Sequence, residues 1–310
     1  MTASTSQNAR PGAALPAVSA AAFALTMMVL AAGEGGVDLS YVVRAPRVTA
    51  WCILIAGQVS LWVLVVPTAL EVIERHRDIR SAHPGFVGQL LVGLVILCAL
   101  FIGGHTALPE IAADPVLWHR PKMIGVTVVG FVPLLALFVA MHLTALAAEA
   151  ETTEDAVARY VDLRETLRLC LGLTGLIVAA ATLATGALQE TVAMLIETEP
   201  ERVRAAAALP SPGERHMYTL IYGGFGCGFV ALVYLPALAR MRRAGRVLRD
   251  AVVQPPQKHG VDEWRAWAEA RASLGQLLGV EARPQDLLKD GLALLAPFAG
   301  SAVSLLTHFG

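Results

Sequence analysis

The sequence predicts an all-α fold, a polytopic membrane helix bundle of about six transmembrane helices with a helical cytoplasmic tail. Three observations carry that prediction. The 310-residue chain is 55% hydrophobic and only 16% charged, where a soluble domain has about 25% charged residues. Its mean hydropathy is +0.59. The third observation is the stretch from His216 to Arg249, where a charge-free run ends in an arginine cluster. Residues 216–239 hold no Asp, Glu, Lys or Arg. At about 1.5 Å per helical residue they reach about 36 Å, enough to cross a hydrocarbon core of about 30 Å. Arg240, Arg242, Arg243, Arg246 and Arg249 follow directly. Lys and Arg flanks stay in the cytoplasm, so this cluster also sets the orientation.

Formal net charge is −1, so nothing global points to nucleic acid, and the partner that composition implies is the lipid bilayer. Arg outnumbers Lys 21 to 3 and Ala is abundant, which fits GC-rich bacterial coding. Cys52, Cys98, Cys170 and Cys227 each belong to a different apolar stretch and form no CxxC pair. They read as small apolar side chains rather than a disulfide framework or a zinc site.

Taken in order, residues 11–33 form an uncharged, Ala-rich run after Arg10. It reads as a first span in preference to a signal peptide, because the run is long and further spans follow. Residues 48–70 form the second span, with Trp51 suited to the membrane interface and Pro67 near the end. Pro84 and Gly85 predict a turn, and a third span starts near Phe86 and ends around His105. Residues 123–148 make the fourth span. The charged segment Glu149–Arg168 continues as helix, with Arg164, Arg168, Asp162 and Glu165 read as a solvated face.

The fifth span, residues 169–189, is rich in small side chains. Gly172, Gly175 and Ala179 recur at helical spacing and predict close helix packing, because small residues let backbones approach where lipid removes the hydrophobic force. Gly224 and Gly228 repeat the device in the sixth span. They read as packing within the chain, with a homo-oligomer contact as the alternative. With the arginine cluster inside, the cytoplasmic segments carry twelve Lys and Arg and the outer loops seven. That bias predicts a multi-pass protein of the cell (cytoplasmic) membrane with both termini cytoplasmic.

Residues 1–249 thus form the six-span bundle and residues 250–310 the tail. Asp262 is the expected N-cap of a helix over 263–279, with Trp264, Trp267, Leu274 and Leu278 as its apolar stripe. A last helix runs from about Gln285 to Thr307. Asp290, Pro297, Ser301, Ser304 and His308 make one polar face, and Leu288, Leu292, Leu295 and Leu306 lie on an apolar one. This pattern favours an amphipathic cytoplasmic helix over a seventh span, with the two tail helices docked on each other or under the bundle.

For chemistry, the main finding is that no Asp, Glu, Lys or Arg lies in the middle of a span. Ion-coupled transporters usually keep one there, so the pattern argues against a coupled pump. Gln58 and Ser60 are the main mid-span polar pair and read as bonds to a neighbouring helix. His105, His119 and His216 share the outer face with Glu110, Asp114 and Glu190. They are the candidate metal ligands, for zinc or copper, or for haem through two imidazoles. No cofactor motif accompanies them, no GxSxG or HExxH is present, and no catalytic residue is assigned. The leading expectation is a non-enzymatic permease-like protein or a subunit of a membrane complex. The alternatives are a metal- or haem-binding membrane enzyme or electron carrier, and a membrane-anchored regulator that binds a soluble partner through its tail.

Overall fold

A computed structural model describes residues 14–33, 36–37, 46–85, 119–150, 155–198, 212–257, 260–281 and 284–306, with positions 88, 92, 93 and 95. The described chain is helical apart from one antiparallel β-pair, β1 (Ala32–Gly33) with β2 (Gly36–Val37), in which Ala32 faces Val37. The helices are α1 (Leu15–Ala31), α2 (Pro46–Arg75), α3 (Arg77–Ala82), α4 (His119–Ala150), α5 (Ala156–Thr198), α6 (Pro212–Val252), α7 (Val261–Leu278) and α8 (Pro284–Leu306). Four of them contain stretches long and apolar enough to cross a membrane: Pro46–Arg75, Val128–Glu149, Ala156–Leu188 and Leu220–Val252. Helix α1 and the segment Asp290–Gly300 are apolar but shorter. The predicted third span lies outside the described residues apart from the isolated positions, and Pro84 and Gly85 are helical rather than a turn.

Helices α2, α4, α5 and α6 share one apolar core. Trp62, Leu137, Phe138, Met141, Leu171, Tyr234 and Ala237 are buried in it, with Phe138 edge-on to Phe229 at 5.2 Å. A second cluster joins α1 to the start of α2 and to Ala184 of α5. Trp51 is fully buried in that cluster, so it is a core residue and not the interface anchor its position suggested.

Polar side chains in the apolar helices bond to nearby backbone. Thr144, Thr174, Thr182 and Thr191 each donate to the carbonyl four residues earlier, at 2.7–2.9 Å. This removes the cost of an unpaired hydroxyl in an apolar interior. Ser60 donates to the Ser19 carbonyl at 3.1 Å, and Ser19 donates back to the Ser60 carbonyl at 3.3 Å, which ties α1 to α2.

The structure adds three features of the tail. Helix α7 begins at Val261 behind Gly260, which has no side-chain cap bond, so Asp262 is not the N-cap. Asp262 and Glu263 instead fall in its first turn, where the helix dipole favours acids. Second, of the two placements expected for α7, the structure shows it against the bundle, on α6, and not on α8. Arg271 binds Asp250 at 2.8 Å, and the Trp267 indole donates to the Val253 carbonyl at 3.3 Å. Arg249, nearly buried, pairs with Asp250 at 2.9 Å and with Glu281 at 3.5 Å.

Third, α8 lies along the side of the bundle. It follows α5, with Asp290 near Arg168, Ala293 against Gly175 and Gly300 against Ala179. It runs opposite to α6, with Asp290 near Tyr234 and Pro297 against Gly226. Residues 293–300 are therefore level with 175–179, the middle of the apolar part of α5.

Candidate functional site

At the end of the bundle where α6 carries its arginines, α5, α6 and α8 enclose a polar cleft. Its walls include Tyr160, Arg164 and Arg168 from α5, Tyr234 and Arg242 from α6, and Asp290 from α8.

Helical spacing explains the placement. Tyr160, Arg164 and Arg168 lie four residues apart on one face of α5, and Tyr234, Leu238 and Arg242 do the same on α6. Arg168 binds Asp290 at 3.3 Å and also reaches Glu165 at 3.4 Å. Its side chain is 19% exposed and that of Asp290 is 12%. Arg164 donates to the Leu277 carbonyl at 2.9 Å, at the C-terminal end of α7. Gly279 stands beside that contact: its φ of +66° favours glycine, and a Cβ there would displace the Arg164 guanidinium, 2.5 Å away. A cation on the last carbonyls of α7 also suits the helix dipole.

The two tyrosines differ. Tyr160 donates its hydroxyl to the Met241 carbonyl at 2.8 Å. Gly245 makes room for the ring, since a Cβ there would collide with the Tyr160 hydroxyl. Tyr234 is fully buried, and its hydroxyl, beside the Asp290 carboxylate, completes no hydrogen bond with any described atom. Arg242 has no ion pair among the described residues. Three guanidiniums and the Asp290 carboxylate thus line the cleft.

Sequence reasoning did not assemble this site. It took Arg164 and Arg168 for a solvated face, but both contact the last two helices, while Asp162 and Glu165 do stay exposed. The signal was present. Asp290 is the last acid in the chain and directly precedes the uncharged run 291–310, and Arg168 stands just before the fifth span. Opposite charges at the mouths of two apolar segments have a reason to meet.

The histidines predicted as metal ligands are not brought together by described side chains. His105 lies outside the described residues. His119 opens α4 and His216 lies near the start of α6, but their side chains are not among those described. Both helices begin at the end opposite the arginine cluster. There Lys122, near the start of α4, donates to the Leu30 carbonyl at 2.9 Å and to that of Ala32, and Tyr222 bonds to Thr185. Among the described residues no group of three His, Cys, Asp or Glu could hold a metal.

Of the packing residues, Gly175 and Ala179 touch α8. A Cβ on Gly175 would lie 2.5 Å from the Ala293 carbonyl oxygen, and one on Gly300 would lie 2.9 Å from that of Ala179. Gly172, Gly224 and Gly228 are exposed, and a Cβ on any of them would meet nothing within 4 Å. The glycine of α6 that does make a close approach is Gly226, which meets Val178 and Pro297.

His76 stands at the break between α2 and α3, nearly buried, with Nε2 lacking a hydrogen bond. Burial, then Arg75 and Arg159, push its pKa below the ordinary 6.5, with Asp162 opposing. The unfolded chain therefore takes up this proton at a higher pH than the folded one. Stability is full above about 6.5 and falls as the pH drops from there toward the lower native value. Thermal unfolding in mild detergent between pH 7.5 and 5.5 should show that loss, and His76→Gln should flatten the slope.

Compared with protein-family models, curated proteins and solved structures, the chain matches none of them.

Proposed function

We propose that the chain is a multi-pass integral protein of the cell membrane, without catalytic chemistry of its own, that serves as a subunit of a membrane complex. One observation carries the membrane reading. The bundle presents large apolar side chains on its outer surface as well as in its core, where a soluble protein turns mainly polar groups outward. Leu25, Val132, Leu176 and Leu232 point outward and are 63%, 57%, 50% and 69% exposed, while Gln58, Thr144, Thr174 and Thr182 are buried.

Helix α8 follows the same rule. Asp290, Ala293, Leu294, Pro297 and Gly300 turn into the bundle, and Leu292, Leu295 and Phe298 face out at 61%, 57% and 45% exposure. A cytoplasmic helix of this pattern would turn those leucines inward. We therefore include α8 in the bilayer. At about 1.5 Å per residue its uncharged part, residues 291–306, reaches about 24 Å. This puts the end of α8 on the face opposite Arg240–Arg249, where the charge count had put both termini on the arginine side.

The subunit reading is supported by the open glycine positions Gly224 and Gly228 beside Phe225 and Leu232 on the outer side of α6, where another helix can approach closely. The permease version has less support, because Trp62, Phe138, Met141 and Tyr234 fill the centre of the described bundle. Carbonate washing should leave the chain in the membrane pellet, and mild detergent should release it as a particle heavier than one chain. Release by carbonate would end the membrane reading. A lone monomer with no crosslinked partner would end the subunit reading.

A further inference from the structure

We propose that the cleft between α5, α6 and α8 binds a phosphate group, and that the phosphate belongs to an anionic lipid of the inner leaflet. Four observations support this. Arg164, Arg168 and Arg242 converge on the cleft from two helices, and a guanidinium is the side chain best shaped to hold a phosphate. Arg242 lines the cleft without an ion pair among the described residues, so its guanidinium donors are open to an anion. The Tyr234 hydroxyl is buried, lines the same cleft and, with the Asp290 carboxylate beside it, still completes no hydrogen bond. A buried hydroxyl without a partner is costly, and a phosphate oxygen would accept from it.

The fourth observation is location. The cleft lies where the apolar part of α6 gives way to its arginines, the depth of lipid headgroups. Leu238 and Met241 on its wall offer an apolar surface to the glycerol and upper acyl carbons. The pair Arg168–Asp290 positions the third helix of the cleft, and Arg242 and Tyr234 are left to contact the ligand. Free phosphate would satisfy the same groups. Only the lipid source rests on the membrane reading, and carbonate washing tests that reading separately.

The test uses the full chain in mild detergent, with thermal unfolding and native mass spectrometry as readouts. The probes are short-chain phosphatidylglycerol, diacylglycerol of the same chains, and inorganic phosphate. Phosphatidylglycerol should raise Tm in a saturable way, and diacylglycerol should not. Arg242→Gln should weaken apparent affinity about tenfold and Tyr234→Phe about threefold, as expected for losing a charge-assisted and a neutral hydrogen bond. Ligand-free Arg242→Gln should unfold near the wild-type temperature, since it breaks no ion pair. If that variant fails to fold, Tyr234→Phe carries the comparison. Competition by inorganic phosphate would assign the site to free phosphate, and its failure to compete would assign it to the lipid. Equal affinity for phosphatidylglycerol in wild type and both variants, or equal stabilisation by diacylglycerol, would overturn the site.

Discussion

Replacing Arg168 by Ala should remove most of the folded protein recovered in mild detergent, and adding Asp290→Ala should bring much of it back. The two side chains meet at 3.3 Å and are only 19% and 12% exposed. Removing one partner of a buried pair costs about 3–5 kcal/mol, because the other charge stays behind unpaired. Some exposure puts this pair near the lower end of that range. Removing both partners leaves two small apolar groups and no orphan charge, which costs far less. Asp290→Ala alone should be the milder single change, since Arg168 keeps Glu165 at 3.4 Å. Tm values for wild type, both single variants and the double variant form a double-mutant cycle. Strong coupling is the expected result. Additive losses would mean that the pair does not hold α8 in place.

Gly175→Leu should be almost as damaging, and Gly172→Leu nearly silent. The two glycines are three residues apart in the same helix, so propensity alone treats them alike. Their surroundings do not. A Cβ on Gly175 lies 2.5 Å from the Ala293 carbonyl oxygen, and backbone cannot rotate away as a side chain can. The larger side chain must push α8 off α5, an overpacking cost of about 1–3 kcal/mol or more. Around Gly172 nothing lies within 4 Å of a Cβ. Removing a glycine from a helix interior there gains up to about 1 kcal/mol of propensity. Limited proteolysis between α7 and α8, read beside Tm, should show faster cutting in Gly175→Leu only. Equal behaviour of the two variants would contradict the close seat of α8.

Much of the fold was legible because lipid imposes a strong and simple rule. A stretch without ionisable groups and long enough to cross must be helical, so the second, fourth, fifth and sixth spans correspond to α2, α4, α5 and α6. The Gly175–Ala179 stripe was legible for the same reason, since small residues at helical spacing mark a close approach. The partner was not legible. The sequence does not say which helix will use a stripe, and Gly224 and Gly228 offer the same pattern while Gly226 makes the contact. The seat of α8 against α5 and α6 was not legible because amphipathicity has two solutions. Asp290 and Pro297 on one side of α8 and Leu292 and Leu295 on the other fit a surface helix with its leucines inward. They fit equally a membrane helix with its leucines outward, and only the neighbours distinguish the two. The cleft was missed because its residues come from positions 160–168, 234–242 and 290, each unremarkable alone. Arg168 looks like a solvated charge until Asp290 is placed beside it.

The central claim is that α8 belongs to the membrane bundle rather than to a cytoplasmic tail. Paired reporters fused after Gly310 test it most directly. Alkaline phosphatase folds to an active form only outside the cytoplasm, and green fluorescent protein becomes fluorescent only inside. With α8 crossing beside α5 and α6, the phosphatase fusion should be active and the fluorescent fusion dark. A bright fluorescent fusion with an inactive phosphatase would put Gly310 on the side of Arg240–Arg249 and contradict the account.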